Sequence, residues 1–88
     1  MGNLDSIVEK TEELLGDLLL SGFQSVYEAS LEQMDELARL YELYGMANGK
    51  ALLEQLRRAL LKRKNSFDYD LHDVMLAYSQ LEFYISSL

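Results

Sequence analysis

The chain has 88 residues, which is enough for one domain and one hydrophobic core, so residues 1–88 are predicted to form a single unit. Nearly half of the residues are apolar, which excludes a disordered chain. There is no cysteine, which excludes disulfides, thiolate zinc sites and a cysteine nucleophile. The net charge of −7 disfavours general nucleic-acid binding, and the absence of proline favours long uninterrupted helices.

A first amphipathic helix is predicted over residues 4–21. Five acidic residues lie on its polar side, Asn3 is the predicted N-cap, and Gly22 is expected to end the helix. Apolar or small side chains recur every three or four positions and should face the core. These are Leu4, Ile7, Val8, Thr11, Leu14, Leu15, Leu18 and Leu19.

A turn is expected at residues 22–25, and two capping boxes follow, beginning at Ser25 and at Ser30. Either can start the second helix; we favour Ser30, with a short helical turn before it, which gives a helix over residues 30–44 with Gly45 as its C-cap glycine. The predicted inward side chains are Leu31, Met34, Leu37, Ala38, Leu40, Tyr41 and Tyr44. The tyrosine hydroxyls are expected at the edge of the core.

The third predicted helix runs from about residue 47 to residue 64. Its apolar stripe consists of Leu52, Leu53, Leu56, Ala59 and Leu60. Residues 1–44 hold ten acids and two bases, a balance of −8, whereas residues 45–88 have a balance of +1. All six bases of that second half lie on this helix: Lys50, Arg57, Arg58, Lys62, Arg63 and Lys64.

A fourth helix is predicted to start at an Asp70 cap and to continue to residue 88. Its apolar residues cover about half of its circumference: Leu71, Val74, Met75, Ala77, Tyr78, Leu81, Tyr84, Ile85 and Leu88. Four helices with short connections favour antiparallel neighbours. The predicted fold class is therefore all-α, a four-helix antiparallel, up-down-like bundle.

Two segments, LLGDLLLSGFQSV and LEQMDELARLYELYGMANGKALLEQLRRALLKR, carry a resemblance to a known group. They resemble the helical region of bacterial proteins with a SWIM-type zinc finger, which has a Leu-rich helix, a glycine turn and two helices joined by a Gly-apolar-Ala connection. Residues 22–26 and 45–47 match those connections, and the resemblance covers residues 12–85. It implies an all-helical accessory domain. The Cys and His ligands of the finger are missing here, so the resemblance implies no zinc, nucleic-acid or site residue.

The densest set of polar ligands is Asp68, Asp70, His72 and Asp73. An EF-hand loop counted from Asp68 would need glycine and glutamate where Asp73 and Ser79 stand, and helix capping explains Asp70 and Asp73. His72 is expected to face solvent, without a nucleophile to serve. We therefore predict no catalytic residue, no metal site and no cofactor; a metal-dependent activity around Asp68 and Asp70 is the one enzymatic alternative.

The N-terminus lacks the basic start and apolar run of a signal peptide, and the longest apolar run is residues 18–20. A soluble cytoplasmic protein that does not bind a membrane is the expectation. Several hydrophobic residues fall outside the stripes or at their boundary, which indicates an apolar patch for a protein partner. These candidate partner-binding residues are Leu43, Leu61, Phe83, Tyr84 and Leu88.

The basic helix, residues 50–64, has two interpretations. Its candidate anion-binding residues could contact nucleic acid, or they could pair with the acidic surface of the first two helices and complement the helix dipole, which we favour. A third interpretation has an acidic face and a basic face docking across a dimer. The leading functional prediction is a non-enzymatic interaction module that binds a protein partner or itself, as a homodimer or as a subunit of a larger assembly; the alternative is a nucleic-acid-associated regulator. The anion-binding candidates are Lys50, Arg57, Arg58, Lys62 and Lys64.

Overall fold

The computed structural model describes residues 3–20, 28–64 and 72–88. They form four α-helices and, within these ranges, no strand: α1 (Asn3–Leu20), α2 (Glu28–Leu43), α3 (Ala47–Lys64) and α4 (His72–Ser86). The predicted all-α, four-helix fold is confirmed. The predicted turn at 22–25, the Gly22 stop and the Asp70 cap lie outside the described residues.

The helices are arranged in a ring. Each described helix packs against two others, α1 and α3 both lying between α2 and α4, and no close backbone contact crosses the diagonals. The bundle measures 43 × 23 × 21 Å. Ion pairs between α2 and α3 join Glu42 to Lys50 and Asp35 to Arg57, so residues progressively farther from the turn face each other. These two helices therefore run antiparallel, as predicted.

The core runs along the inside of the ring and takes side chains from all four helices. Its largest fully buried members include Ile7, Leu18, Met34, Tyr41, Leu53, Leu56, Leu60 and Leu81. Each fills one position of the three-and-four spacing that the sequence shows. Thr11 is the one buried polar residue among those described, and its hydroxyl lies 2.6 Å from the hydroxyl of Tyr41. The expectation that Tyr41 holds its hydroxyl at the core edge is wrong.

The turn between α2 and α3 is closed at Gly45, which has a φ of 70° and so occupies the left-handed region that favours glycine. The N–H of Met46 donates to the carbonyl of Tyr41 (2.7 Å), and the N–H of Gly45 donates to the carbonyl of Glu42 (3.1 Å). This pair of bonds is a Schellman motif, which satisfies carbonyls at the end of α2. The predicted C-cap glycine is confirmed.

Several predicted inward positions are exposed instead. Leu4 is 44% exposed and Leu19 is 53% exposed, because two neighbouring helices cover a narrower arc of α1 than its apolar stripe occupies. Tyr44, also 44% exposed, follows the last residue of α2 and leaves the helical face as the chain turns. Met75 on α4 was also predicted to face the core and is exposed. Leu88 lies beyond the end of α4 and is exposed as well.

α2 starts earlier than the favoured cap at Ser30, and it includes helical residues where a short helical turn was expected before that cap. The helix begins at Glu28, so Ser30 lies inside its first turn rather than capping it. The other predicted start, the box that begins at Ser25, lies outside the described residues. In the part of the chain that the structure describes, no helix combines the length and apolar character needed to cross a membrane.

Candidate functional site

A shallow hollow of about 790 Å³ lies on the outer surface between α3 and α4. We use the name α3–α4 face for this surface together with Leu76, which lies on α4 seven residues before Phe83. From α3 the hollow is lined by Asn48, Ala51 and Leu52. From α4 it is lined by Ser79, Gln80, Phe83, Tyr84 and Ser87. The first turns of α3 thus meet the last turns of α4, so these helices also run antiparallel.

Tyr84, which lines the hollow, packs against α3 at Gly49. Gly49 is buried, and a Cβ atom placed there would lie 2.7 Å from Cε2 of Tyr84. The absence of a side chain at Gly49 lets the Tyr84 ring approach the α3 backbone closely. Tyr84 is consequently half-buried and forms part of the hollow's wall instead of projecting from it.

Phe83 is the most prominent apolar group of this face. Its side chain is 76% exposed, although a phenyl ring gains about 2 kcal/mol when it is fully buried. Leu76 lies seven residues earlier, on the same side of α4, and is also exposed. None of the residues that line the hollow is charged, in a chain in which a quarter of the residues are. Depletion of charge around exposed aromatic groups is typical of the centre of a protein–protein interface.

The structure places the five candidate partner-binding residues in different regions. Phe83 and Tyr84 lie together on the α3–α4 face. Leu43 is 74% exposed at the end of α2, which does not line the hollow. Leu61 is half-buried on α3, and Leu88 follows the end of α4 and is 51% exposed. The predicted patch is therefore centred on Phe83 and Tyr84 and does not bring all five residues together.

Two of the candidate anion-binding residues face acids on α2 or on their own helix. Nζ of Lys50 lies 3.3 Å from Oε2 of Glu42 and 3.9 Å from Oε1 of Glu54. Nε of Arg57 lies 3.0 Å from Oδ1 of Asp35, but its N–H is not aligned with the carboxylate, so the contact is ionic rather than a hydrogen bond. These contacts support the structural interpretation of the basic residues on α3.

Arg58 and Lys62 differ from Lys50 and Arg57 in their exposure and in their ion pairing. Both are exposed, and within the described ranges neither makes an ion pair. The side chain of Lys64 lies outside the described residues. Contact with nucleic acid through residues 50–64 stays a prediction.

The titratable groups of the described chain form no constellation for metal binding. Among the described residues no three His, Cys, Asp or Glu side chains are grouped to hold a metal ion. His72 and Asp73 are exposed, and Asp68 and Asp70 lie outside the described ranges. Burial raises the pKa of the Tyr41 phenol. That phenol is enclosed in the core, where it can serve packing and not a substrate.

Sequence reasoning identified the aromatic half of the hollow and missed the other half. The missed residues are small or uncharged, such as Ala51, Ser79 and Ser87. The sequence signal for the α3 half of the hollow is the set of uncharged residues spaced by three and four positions on the outer side of α3, Asn48, Ala51 and Gln55.

Comparisons of the chain with protein-family models, with curated proteins and with solved structures found no match. The resemblance to the helical region of SWIM-type proteins therefore stays a prediction.

Proposed function

We propose that this protein is a non-enzymatic interaction module that self-associates through the α3–α4 face. The observation that carries the proposal is an uncharged surface hollow beside an exposed phenylalanine. Burying such a surface removes apolar area from water and strands no charge.

The charge distribution favours this face over the others for association between two copies. α1 carries five acids and one base, and so does α2, so contacts between their surfaces would bring like charges together. α3 carries six bases and one acid. The uncharged hollow of the α3–α4 face therefore lets two chains of net charge −7 meet without placing acidic surfaces against each other.

The chemistry of the hollow also favours binding over catalysis. Tyr84 is the only titratable residue in its lining. General acid–base catalysis needs a group with a pKa near the working pH, and nucleophilic catalysis needs a nucleophile next to a base. The lining of Asn, Gln, Ser, Ala, Leu and aromatic side chains offers contact area and hydrogen bonds instead.

The test is the mass of the protein in solution, measured by sedimentation equilibrium from about 1 µM to about 1 mM, a range that brackets weak association. We expect the wild-type chain to dimerise within this range. Phe83→Ala should shift the equilibrium toward monomer by roughly 10-fold or more, because aromatic residues dominate interface energies.

Leu43→Ala is the matched control, since Leu43 is as exposed as Phe83 but lies on α2. This variant should dimerise like the wild type. A wild-type chain that stays monomeric throughout, or equal losses for the two variants, would refute self-association through this face.

A further inference from the structure

We propose that the hollow of each copy is occupied by Phe83 of a second copy, in a dimer whose two-fold axis runs parallel to the helices. This inference rests on the proposed self-association and adds its geometry. It commits the hollow to one occupant and assigns Ala51 as the residue that the incoming ring contacts.

The heights of the two groups along the bundle fix the direction of the axis. The Cβ position of Gly49 on α3 lies beside the Tyr84 ring on α4, and the two helices run antiparallel, so Ala51 and Phe83 lie at close to the same height along the bundle. A two-fold rotation about an axis along the groove keeps height and exchanges the two sides. It therefore places Phe83 of each copy over Ala51 of the other, and makes two equivalent contacts in one closed dimer.

A two-fold axis perpendicular to the helices gives a different result. When it passes through the middle of the face, such an axis carries Phe83 to the opposite end of the face, near the last turns of α3, and leaves both hollows empty. It would also lay α3 on α3 of the second copy and so bring two strongly basic helices together.

The parallel axis instead lays α3 of one copy on α4 of the other. α4 carries two acids, Asp73 and Glu82, and no Lys or Arg. Asp73 begins α4 at the end of the bundle where α3 finishes, so it faces the region of Arg58 and Lys62 of the second copy. These exposed charges can pair at the rim of the interface, where they contribute to orientation more than to affinity.

The area of the face is consistent with a second copy as the occupant. Helices of 18 and 15 residues are about 27 and about 22 Å long and about 10 Å wide, so the face offers roughly 500 Å² on each copy. Two copies would bury about 1,000 Å² in total, near the lower limit for a specific interface. The dimer is therefore expected to be weak, with Kd on the order of micromolar or above.

The experiment mixes two variants of the full chain that fail in complementary ways. Phe83→Ala removes the ring and leaves the hollow of its own copy open, although wider on the α4 side that Phe83 lines. Ala51→Tyr fills the hollow and keeps the ring. One variant is isotope-labelled, and native mass spectrometry then distinguishes the mixed dimer from both homodimers. Circular dichroism on each variant checks that these exposed substitutions leave the helical fold intact.

Each homodimer loses both contacts, whereas the mixed dimer keeps the ring of the Ala51→Tyr copy in the open hollow of the Phe83→Ala copy. At roughly 10-fold for each contact, both homodimers should weaken about 100-fold and the mixed dimer about 10-fold. The mixed dimer should then dominate the dimer population of the mixture.

The outcomes separate this inference from the proposed function. Wild-type dimers that both variants disrupt, without any preference for the mixed species, would overturn the ring-in-hollow geometry and leave self-association through the face in place. An Ala51→Tyr homodimer as tight as the wild type would also overturn it. A wild-type chain that stays monomeric would overturn both, and one that polymerises without limit would overturn the closed two-fold dimer.

Discussion

The hydroxyl groups of Thr11 and Tyr41 form a hydrogen-bonded pair in the centre of the core. Both residues are fully buried. The Thr11 hydroxyl donates its proton to the carbonyl of Ile7 (2.8 Å), so the Tyr41 hydroxyl donates to Thr11 Oγ1 (2.6 Å). Both hydroxyls are hydrogen-bonded, but their partners differ. The Thr11 hydroxyl also bonds to the backbone carbonyl of Ile7, whereas the Tyr41 hydroxyl donates to Thr11.

That asymmetry predicts different costs for the two substitutions that remove a single hydroxyl. Thr11→Val leaves the Tyr41 hydroxyl buried without its acceptor and should lower the free energy of unfolding by about 2 kcal/mol. Tyr41→Phe leaves Thr11 bonded to Ile7 and should cost about 1 kcal/mol. Urea denaturation measures both values.

The double variant with both substitutions provides the control for this prediction. It has no stranded hydroxyl at the pair, so its cost should fall below the sum of the two single costs. Costs that add, or a larger loss for Tyr41→Phe than for Thr11→Val, would contradict the hydrogen-bond direction assigned to the pair.

At this scale the sequence predicted most of the core and missed the pair. The three-and-four spacing identified Thr11 and Tyr41 as inward residues on separate helices. Their contact depends on the relative height and rotation of α1 and α2, and a periodic pattern within one helix carries neither quantity. The same limit explains why the Tyr41 hydroxyl was expected at the edge of the core.

At the scale of a single helix, two interior glycines allow opposite predictions from the same substitution. Alanine favours helix over glycine by about 1 kcal/mol. At Gly16 of α1, an added Cβ meets nothing within 4 Å, so Gly16→Ala should stabilise the protein by about 0.5–1 kcal/mol. At Gly49 of α3, the added Cβ would meet the Tyr84 ring at 2.7 Å.

Gly49→Ala should therefore lower stability by about 1–2 kcal/mol in spite of its better helix propensity, because the half-buried Tyr84 ring must move. Thermal unfolding of both variants checks the signs, and near-ultraviolet circular dichroism reports the displaced tyrosine. Stabilisation by Gly49→Ala as large as that by Gly16→Ala would show that Tyr84 yields at no cost.

Helix ends were predicted unevenly, for reasons that lie in the local chemistry. The end of α2 was predicted well because only glycine adopts the left-handed conformation there without strain, which makes Gly45 a specific signal. The start of α2 was predicted at Ser30 because two capping boxes follow one another, and both are compatible with a helix start. A capping pattern says that a helix can begin at a residue, and tertiary contacts decide whether an earlier turn is also helical.

At the scale of the whole molecule, the arrangement of four helices decides which apolar residues stay uncovered. The sequence predicted that apolar residues cover about half of the circumference of α4, and it placed Phe83 outside that stripe; Phe83 and Leu76 are both exposed. It did not predict the hollow beside them, because the hollow exists only where small residues of α3 meet small residues of α4. Those residues are separated by about 30 positions, and their contact is a property of the packing.

The net charge of −7 gives self-association a salt dependence whose sign is diagnostic. Two copies repel each other over a range set by the screening length, which is about 30 Å at 0.01 M salt and about 8 Å at 0.15 M. The proposed interface has an uncharged centre, and its exposed rim pairs add little. Added salt should therefore strengthen the dimer several-fold.

Sedimentation equilibrium at the two salt concentrations measures this effect, with Leu43→Ala again expected to follow the wild type. The opposite arrangement, in which the acidic α1 and α2 surface of one copy docks on the basic α3 of another, relies on attraction between unlike charges. Salt would weaken that contact. Weaker dimerisation at 0.15 M than at 0.01 M salt would thus show that the copies associate through their charged surfaces rather than through the α3–α4 face. It would also mean that the hollow takes no part in the association, because a head-to-tail contact of that kind does not place Phe83 of one copy in the hollow of the other.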